Sequence, residues 1–266
     1  MFYRRLIIGI LFCLVCCASC NEFDRVVKST DNDMKYEVAM DYFDRKDYNR
    51  ALQLFDLLQN AFRGTPRGEF VAYRTAVCYF ETQDYDIAGY YFDKFVQNYP
   101  FSVDAEKAAY MNAYCNYLTS PNMTLDQRNT YTAISQLKSF IERYPESDSI
   151  SRANELLQDL NNKLEEKDYN ICMLFYKMEN YNAAITCFEN LLKKYPTTKH
   201  REDILCEMAK AYYDYAENSV ASKQKERYEA CIERYNTLSY LYPESNRLNE
   251  LENIANKARK KLENLD

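Results

Sequence analysis

The chain has 266 residues and a formal net charge of −6, and it contains 26 Tyr, one His, no Trp and only 4 Gly. The shortage of glycine argues against phosphate-binding loops, nucleophile elbows and tight hairpins, which use glycine at positive φ or near a ligand. A single histidine disfavours His-based catalytic triads and multi-His zinc sites, and the acidic balance without a basic stripe disfavours nucleic acid as a partner. We therefore predict an all-α protein that is not an enzyme, and we name no catalytic residue, cofactor or metal.

The first twenty residues have the pattern of a secretory signal. Two arginines precede an apolar stretch at residues 6–17, which is too short to span a bilayer as a helix. The segment Cys17-Ala18-Ser19-Cys20 resembles a bacterial lipobox, in which the last cysteine becomes acylated after cleavage. By that resemblance residues 1–19 are a signal peptide that is removed, and residues 20–32 are a lipidated Cys20 and a short tether. An ordinary cleaved signal with a spare thiol at Cys20 is the alternative.

Six cysteines remain beyond Cys20, and in an exported protein they could pair. They are widely scattered with no C-x-x-C, and most occupy small-residue slots in apolar helical patterns, where a free cysteine packs as a small hydrophobe. We interpret them as packed thiols, with at least one disulfide as the alternative. The six are Cys78, Cys115, Cys172, Cys187, Cys206 and Cys231.

A repeat sets the predicted architecture, because the dipeptide Tyr-Pro recurs at 99–100, 144–145, 195–196 and 242–243. A small residue stands twelve positions before each proline and a bulky apolar residue eight before it, so both lie on one face of a helix that the proline ends. A further copy upstream begins at Tyr48. The small residues are Ala51, Ala88, Ala133, Ala184 and Cys231, and the bulky residues are Phe55, Phe92, Leu137, Phe188 and Tyr235.

A second helix precedes these copies, with turns that end in Asp47, Asp84 and Asn180 as helix N-caps. The unit resembles the tetratricopeptide repeat, with the small residue and tyrosine of helix A followed by the alanine, apolar residue and proline of helix B. A long helix from Ser151 to Lys167 is predicted to join copies three and four, and residues 247–266 to form a closing helix. The resemblance implies a right-handed superhelical solenoid of five repeats. Repeats 1–3 would occupy residues 33–150, and repeats 4–5 with the capping helix residues 151–266.

In the tetratricopeptide family helix A lines a concave groove, and aromatic side chains suit peptide recognition there. Packing between repeats is the alternative role for the same side chains. The single His200 is interpreted as a surface residue at a helix start, and the pair Glu165-Glu166 as part of a solvated helix face. By the register of the first two repeats, the groove residues are Tyr36, Met40, Phe43, Phe70, Tyr73, Val77 and Phe80.

The lipobox, the tether, the five repeats and the recurrent Tyr-Pro-x-Ser/Thr together resemble the BamD family of outer-membrane assembly lipoproteins, in particular its bacteroidal members. That resemblance implies a lipid-anchored protein on the periplasmic face of the outer membrane, within the β-barrel assembly (BAM) complex. It implies that the N-terminal repeats bind the C-terminal segment of unfolded outer-membrane proteins. The C-terminal repeats would dock the periplasmic POTRA domains of a BamA-like barrel subunit.

Two other classes stay open. A repeat-based adaptor lipoprotein of another envelope complex would show the same architecture. A glycan-binding lipoprotein of the SusD type also uses these repeats, but such chains are about twice as long and rich in Trp. The segment Asp148-Ser149-Ile150 resembles a short bacteroidal O-glycosylation motif, and glycosylation of Ser149 is left open.

Overall fold

The computed structural model describes residues 22–265, and every regular element in that range is a helix. This confirms the all-α prediction for the described residues. The chain divides into two compact units, with the boundary between Leu160 and Asn161. None of the helices in residues 22–265 combines the length and the apolar character that are needed to cross a membrane.

In the first unit, successive helices from α2 onward pack against each other in pairs, as the repeat pattern predicts. The elements are α1 (22–28), α2 (Asn32–Asp44), α3 (Tyr48–Leu58), α4 (Pro66–Glu81), α5 (Tyr85–Asn98), α6 (Ala105–Leu118) and α7 (Arg128–Arg143). Helices α2, α4 and α6 take the place of helix A in repeats one to three, and α3, α5 and α7 that of helix B.

The helix α8 (Ile150–Lys177) begins in the first unit and continues into the second. Sequence predicted a joining helix that ended at Lys167, followed by a separate helix A. That prediction is wrong, because no glycine or proline interrupts the chain between Ile150 and Lys177. The second unit continues with α9 (Tyr181–Lys194), α10 (Arg201–Glu217), α11 (Ala221–Leu241) and the closing helix α12 (Leu248–Glu263).

The repeat positions form the core. All five small residues of helix B, and four of the five bulky ones, are fully buried, which confirms the spacing argument. Only Tyr235 in the last copy is partly exposed, where it packs beside Leu238 and Leu251. The interiors are therefore filled by small and large side chains that alternate along one helical face, as close packing requires.

The turns between helix A and helix B explain how a chain with so few glycines makes sharp reversals. Lys46, Gln83 and Glu179 adopt φ of 62°, 67° and 58°. In each turn two backbone N–H groups return to carbonyls of the preceding helix, at 2.9–3.0 Å, which satisfies the helix end. The next residue is the predicted N-cap: Asp47 and Asn180 accept a backbone hydrogen bond through their side chains, whereas Asp84 makes none.

The Tyr-Pro loops share one conformation. Helices α5, α7, α9 and α11 each end one residue before the Tyr of the dipeptide, which confirms proline as the stop signal. After each proline, a Ser or Thr backbone N–H donates to the Tyr carbonyl at 3.0–3.1 Å, and its hydroxyl accepts from the backbone two residues on at 3.0–3.2 Å. The shape that the four loops share thus follows from their common sequence, Tyr-Pro-x-Ser/Thr.

The N-terminal segment differs from the expected tether. Residues 22–28 form the helix α1, and Phe23 and Val26 are buried in the core of the first repeat. The ring of Phe23 meets that of Tyr42 edge-on at 5.5 Å, and Arg50 lies 5.7 Å from the Phe23 ring centroid. The amphipathic spacing of Phe23 and Val26 is the signal that the sequence interpretation passed over.

Cys172 on α8 and Cys187 on α9 form a disulfide, with their Cα atoms 5.3 Å apart. The interpretation of all six cysteines as packed thiols is wrong for this pair, because the turn of repeat four brings the two positions face to face. The other four thiols are free and buried, as expected. Burial raises the pKa of Cys78, Cys115 and Cys231 to about 12, so these thiols stay protonated at neutral pH.

Candidate functional site

An aromatic cavity of about 480 Å³ opens in the first unit between helices α2, α4, α5 and α6. Five of the seven side chains predicted for the groove line it. We call this site the aromatic cavity throughout. The predicted residues that line it are Phe43, Phe70, Tyr73, Val77 and Phe80, and the other lining residues are Arg74, Glu81, Phe92, Asp104, Lys107 and Met111.

The remaining two predicted residues, Tyr36 and Met40, do not line the cavity. Both pack against the core of the first repeat. The ring of Tyr36 lies 5.8 Å from that of Phe62 and 5.1 Å from the guanidinium carbon of Arg67, so it is held between repeats one and two. Tyr36 and Met40 thus take part in packing around the first repeat, and their contact with a client stays a prediction.

Tyr73 belongs to the hydrophobic core as well as to the cavity wall. Its side chain is only 9% exposed, and its ring lies 6.0 Å from Phe92 and 5.3 Å from Phe95. Burial, with a smaller contribution from Asp104, raises the pKa of Tyr73 to about 12. Its hydroxyl is therefore a neutral group at physiological pH. By contrast, Phe70 is 48% exposed and stands at the mouth of the cavity.

Arg74 places a positive charge among the aromatic rings. Its guanidinium carbon lies 5.5 Å from the ring centroid of Phe43 and 5.1 Å from that of Phe70, which are cation–π distances. Its buried Nε has no hydrogen-bond partner within residues 22–265. Lys107 supplies a second cation, 6.0 Å from the ring of Tyr73. The cavity thus combines apolar walls with two cations, which suit a carboxylate, and with the acidic side chains of Glu81 and Asp104.

Sequence reasoning missed the contribution of α6 to this site. Sequence alone leaves the register of this helix ambiguous, so it assigns no residue there to the groove. The signal that could have found it is the i, i+4 pair Lys107 and Met111, which share one helical face. Both line the cavity, opposite the helix A residues of repeat two.

The second unit carries a different feature, an exposed apolar stripe on α8. Ile171, Leu174 and Met178 are 39%, 55% and 67% exposed. Their i, i+3, i+7 spacing puts them on one face of the helix. An exposed apolar stripe of this kind suits a protein contact.

Two interpretations of polar residues in the second unit are wrong. His200 does cap the start of α10, but its side chain is only 13% exposed and its ring stacks on that of Tyr169 at 4.6 Å. Glu165 accepts a hydrogen bond from Thr198 at 2.5 Å, and Glu166 lies 3.0 Å from His200 Nε2. The two glutamates therefore contact the loop that precedes α10, and they are not simply part of a solvated helix face. In residues 22–265 no group of three or more His, Cys, Asp or Glu could hold a metal ion.

The predicted lipidation residue, Cys20, lies outside the residues that the structure describes. Its role stays a prediction. The first described residue is Glu22, at the start of α1.

Comparison with known proteins gives matches in sequence and in structure. Residues 28–227 match the model of the YfiO family, described as an outer membrane lipoprotein. The outer membrane protein assembly factor BamD of Buchnera aphidicola subsp. Acyrthosiphon pisum is 33% identical over 81 residues, which are 30% of this chain and 33% of that protein. The matched segment thus spans about a third of the length of this curated relative.

Solved structures are similar at low sequence identity. A crystal structure of a TPR repeats protein from Bacteroides fragilis is 16% identical, with a TM-score of 0.39, over 88% of this chain and 100% of the other. The TPR2AB-domain:pHSP90 complex of yeast Sti1 is 11% identical, with a TM-score of 0.41, over 86% of this chain and 98% of the other. Because the family model covers most of the chain, the chain belongs to the YfiO family of outer membrane lipoproteins.

Proposed function

We propose that this protein is a non-catalytic lipoprotein component of the BAM complex. Acylated Cys20 anchors it to the periplasmic face of the outer membrane after removal of residues 1–19. The repeats of residues 33–150 receive unfolded outer-membrane proteins, and those of residues 151–266 dock the POTRA domains of a BamA-like subunit. The family membership and the BamD relative support the complex, and the aromatic cavity supports the client site.

The observation that carries the client site is the combination of rings and cations in the aromatic cavity. An unfolded barrel protein presents an extended C-terminal segment that ends in an aromatic residue and a free carboxylate. The ring of that residue would pack against Phe70 at the mouth of the cavity, and the carboxylate would pair with the neighbouring guanidinium of Arg74. Transfer of the client requires weak and reversible binding, which a small open site provides.

The stripe on α8 supports the second half of the proposal. The stripe lies in the second unit, whose repeats we propose as the docking site of the barrel subunit, and its three side chains are exposed to solvent. A hydrophobic contact of a few large side chains with polar surroundings is typical of the core of a protein–protein interface. We assign this stripe to the contact with the BamA-like subunit.

A peptide-binding experiment tests the client site. The probe is a fluorescent peptide of ten residues that ends in Phe with a free carboxylate, and anisotropy gives its Kd. We expect Phe70→Ala to weaken binding about 5- to 20-fold, because an exposed aromatic wall is lost while the core stays intact. Phe101→Ala is the matched control, since Phe101 is 99% exposed and lies outside the cavity. Tyr73 is a poorer choice, because its removal would also leave a hole beside Phe92 and Phe95.

Equal affinity of the wild type, Phe70→Ala and Phe101→Ala would reject the client site. Purification from detergent-solubilised membranes tests the complex, since a BamA-like subunit should accompany the tagged protein. Recovery of a different envelope assembly would instead establish the adaptor alternative.

A further inference from the structure

We propose that the aromatic cavity continues along α6 as a row of tyrosines that receives every second side chain of an extended client segment. This inference rests on the proposed function, since it lengthens the same client site onto the third repeat. The rings concerned are those of Tyr114 and Tyr117, which follow Phe80 at the edge of the cavity.

The rings form a continuous path out of the cavity. Phe80 lines the cavity, and its ring centroid lies 6.1 Å from that of Tyr114. The ring centroid of Tyr117 lies 6.1 Å from that of Tyr114, and the two ring planes are within 9° of each other. On the other side, Tyr110 stacks on Tyr114 at 6.0 Å with the planes 6° apart, and it is fixed in turn by Phe140 at 5.5 Å.

The spacing of the path fits an extended chain. A β-strand rises about 3.3 Å per residue, so side chains on one face recur about every 6.6 Å. The centroid distances of 6.1 Å from Phe80 to Tyr114 and from Tyr114 to Tyr117 are each therefore close to the i, i+2 spacing of a strand-like peptide. A client whose apolar side chains alternate with polar ones would place each apolar side chain against one ring.

A helical ligand could present side chains at a similar spacing through i, i+4 pairs, but two features favour the extended chain. The cavity at the start of the row holds a few side chains, and a helix with its side chains is about 10–12 Å in diameter. Polar groups also flank the row: Tyr117 donates through its hydroxyl to Asp159 at 3.4 Å, which leaves carboxylate lone pairs for peptide N–H groups. A strand has unpaired backbone groups for such partners, whereas a helix satisfies its own.

Binding of a client to the row of tyrosines costs little side-chain conformational entropy. Tyr114 is held between Tyr110, Tyr117 and Phe80, so its rotamer is fixed before any ligand binds. All three tyrosines are nevertheless partly exposed. Rings that are preorganised and accessible give large contact area at low entropic cost, which is the pattern of a recognition surface.

Three synthetic peptides test the inference on the full chain. Each ends in Phe with a free carboxylate. The first is the four-residue end alone, and the second extends it to ten residues with Phe at every second position. The third has the same composition and the same four-residue end, but its three remaining Phe residues stand side by side. Affinities are measured by anisotropy for the wild type, the double variant Tyr114→Ala/Tyr117→Ala, and the double control Tyr131→Ala/Tyr240→Ala, whose residues are 55% and 86% exposed elsewhere.

We expect the ten-residue peptide with alternating Phe to bind the wild type about 10-fold more tightly than the four-residue peptide. The Tyr114→Ala/Tyr117→Ala variant should lose that advantage and keep its affinity for the short peptide, with circular dichroism unchanged. The control should behave as the wild type.

If the two long peptides bind equally, or if the variant loses affinity for short and long peptides alike, the row of tyrosines is not a binding surface. If the short peptide binds and the longer peptides bind no more tightly, the row of tyrosines is rejected and the client site in the aromatic cavity is retained. If no peptide binds, both sites are rejected.

Discussion

Removal of the disulfide between Cys172 and Cys187 should lower the stability of the protein, by an amount that follows from the length of the loop that the bond closes. The bond joins residues 15 apart, across the turn between α8 and α9. Cross-linking a loop of about 15 residues removes chain entropy from the unfolded state that is worth about 3 kcal/mol at 25 °C. The double variant Cys172→Ala/Cys187→Ala should therefore be about 3 kcal/mol less stable than the oxidised wild type.

Urea unfolding under oxidising conditions measures this loss. With a slope of about 2 kcal/mol per molar urea, a change of about 3 kcal/mol lowers the midpoint by about 1.5 M. Because the chain has two compact units, the affected transition should be that of the second unit. Hydrogen exchange should accordingly accelerate in α8 and α9 and stay unchanged in α2 to α5.

A reductant supplies the control. The reductant should lower the urea midpoint of the wild type towards that of the double variant, and it should leave the midpoint of the double variant unchanged. The variant Cys231→Ala removes a buried free thiol, so it should stay as sensitive to reductant as the wild type. Coincident unfolding curves for the oxidised wild type and the double variant would refute the entropic reasoning, and an unchanged wild type in reductant would refute the bond itself.

Two further predictions concern packing and pH. A Cβ at Gly68 would overlap the backbone carbonyl of Phe62, so Gly68→Ala should cost about 1–3 kcal/mol in urea unfolding. The control Gly64→Ala meets no neighbour within 4 Å and should cost about 1 kcal/mol, from its φ of 78° alone. In the second unit, the hydrogen bond from Tyr228, aided by Lys261, lowers the pKa of Glu217. The stability from this group is present above its unfolded pKa of about 4.3 and is lost as the pH falls through the lowered folded value. Tyr228→Phe should therefore destabilise the unit more at pH 7 than at pH 3, and an equal loss at both pH values would contradict the assignment.

The helix ends and the buried repeat positions could be predicted from sequence because their causes are local. Proline after Tyr99 or Tyr144 removes the next helical hydrogen bond whatever surrounds it, and alanine opposite phenylalanine fills a fixed space. The same reasoning identified five of the eleven residues that line the cavity, since residues such as Phe70 and Phe80 lie on a helix whose register the repeat fixes.

The remaining features depend on contacts between distant residues. The pairing of Cys172 with Cys187 depends on how two helix faces meet across a turn, and spacing alone does not decide it. The part of the cavity on α6 was missed because that helix buries alanines as well as presenting Lys107 and Met111, and the sequence does not show which of its faces meets repeat two. His200 looked solvated because its stacking partner, Tyr169, lies far away in the chain.

The helix α1 has a consequence for how the protein sits at its membrane. Phe23 and Val26 fix this helix in the first repeat, and it starts at Glu22. With Cys20 acylated, the span from the acylated residue to Glu22 is at most about 7 Å, since an extended chain covers about 3.5 Å per residue. The proposed lipid would then hold the first repeat close to the bilayer surface, because too little chain separates Cys20 from α1 to act as a linker.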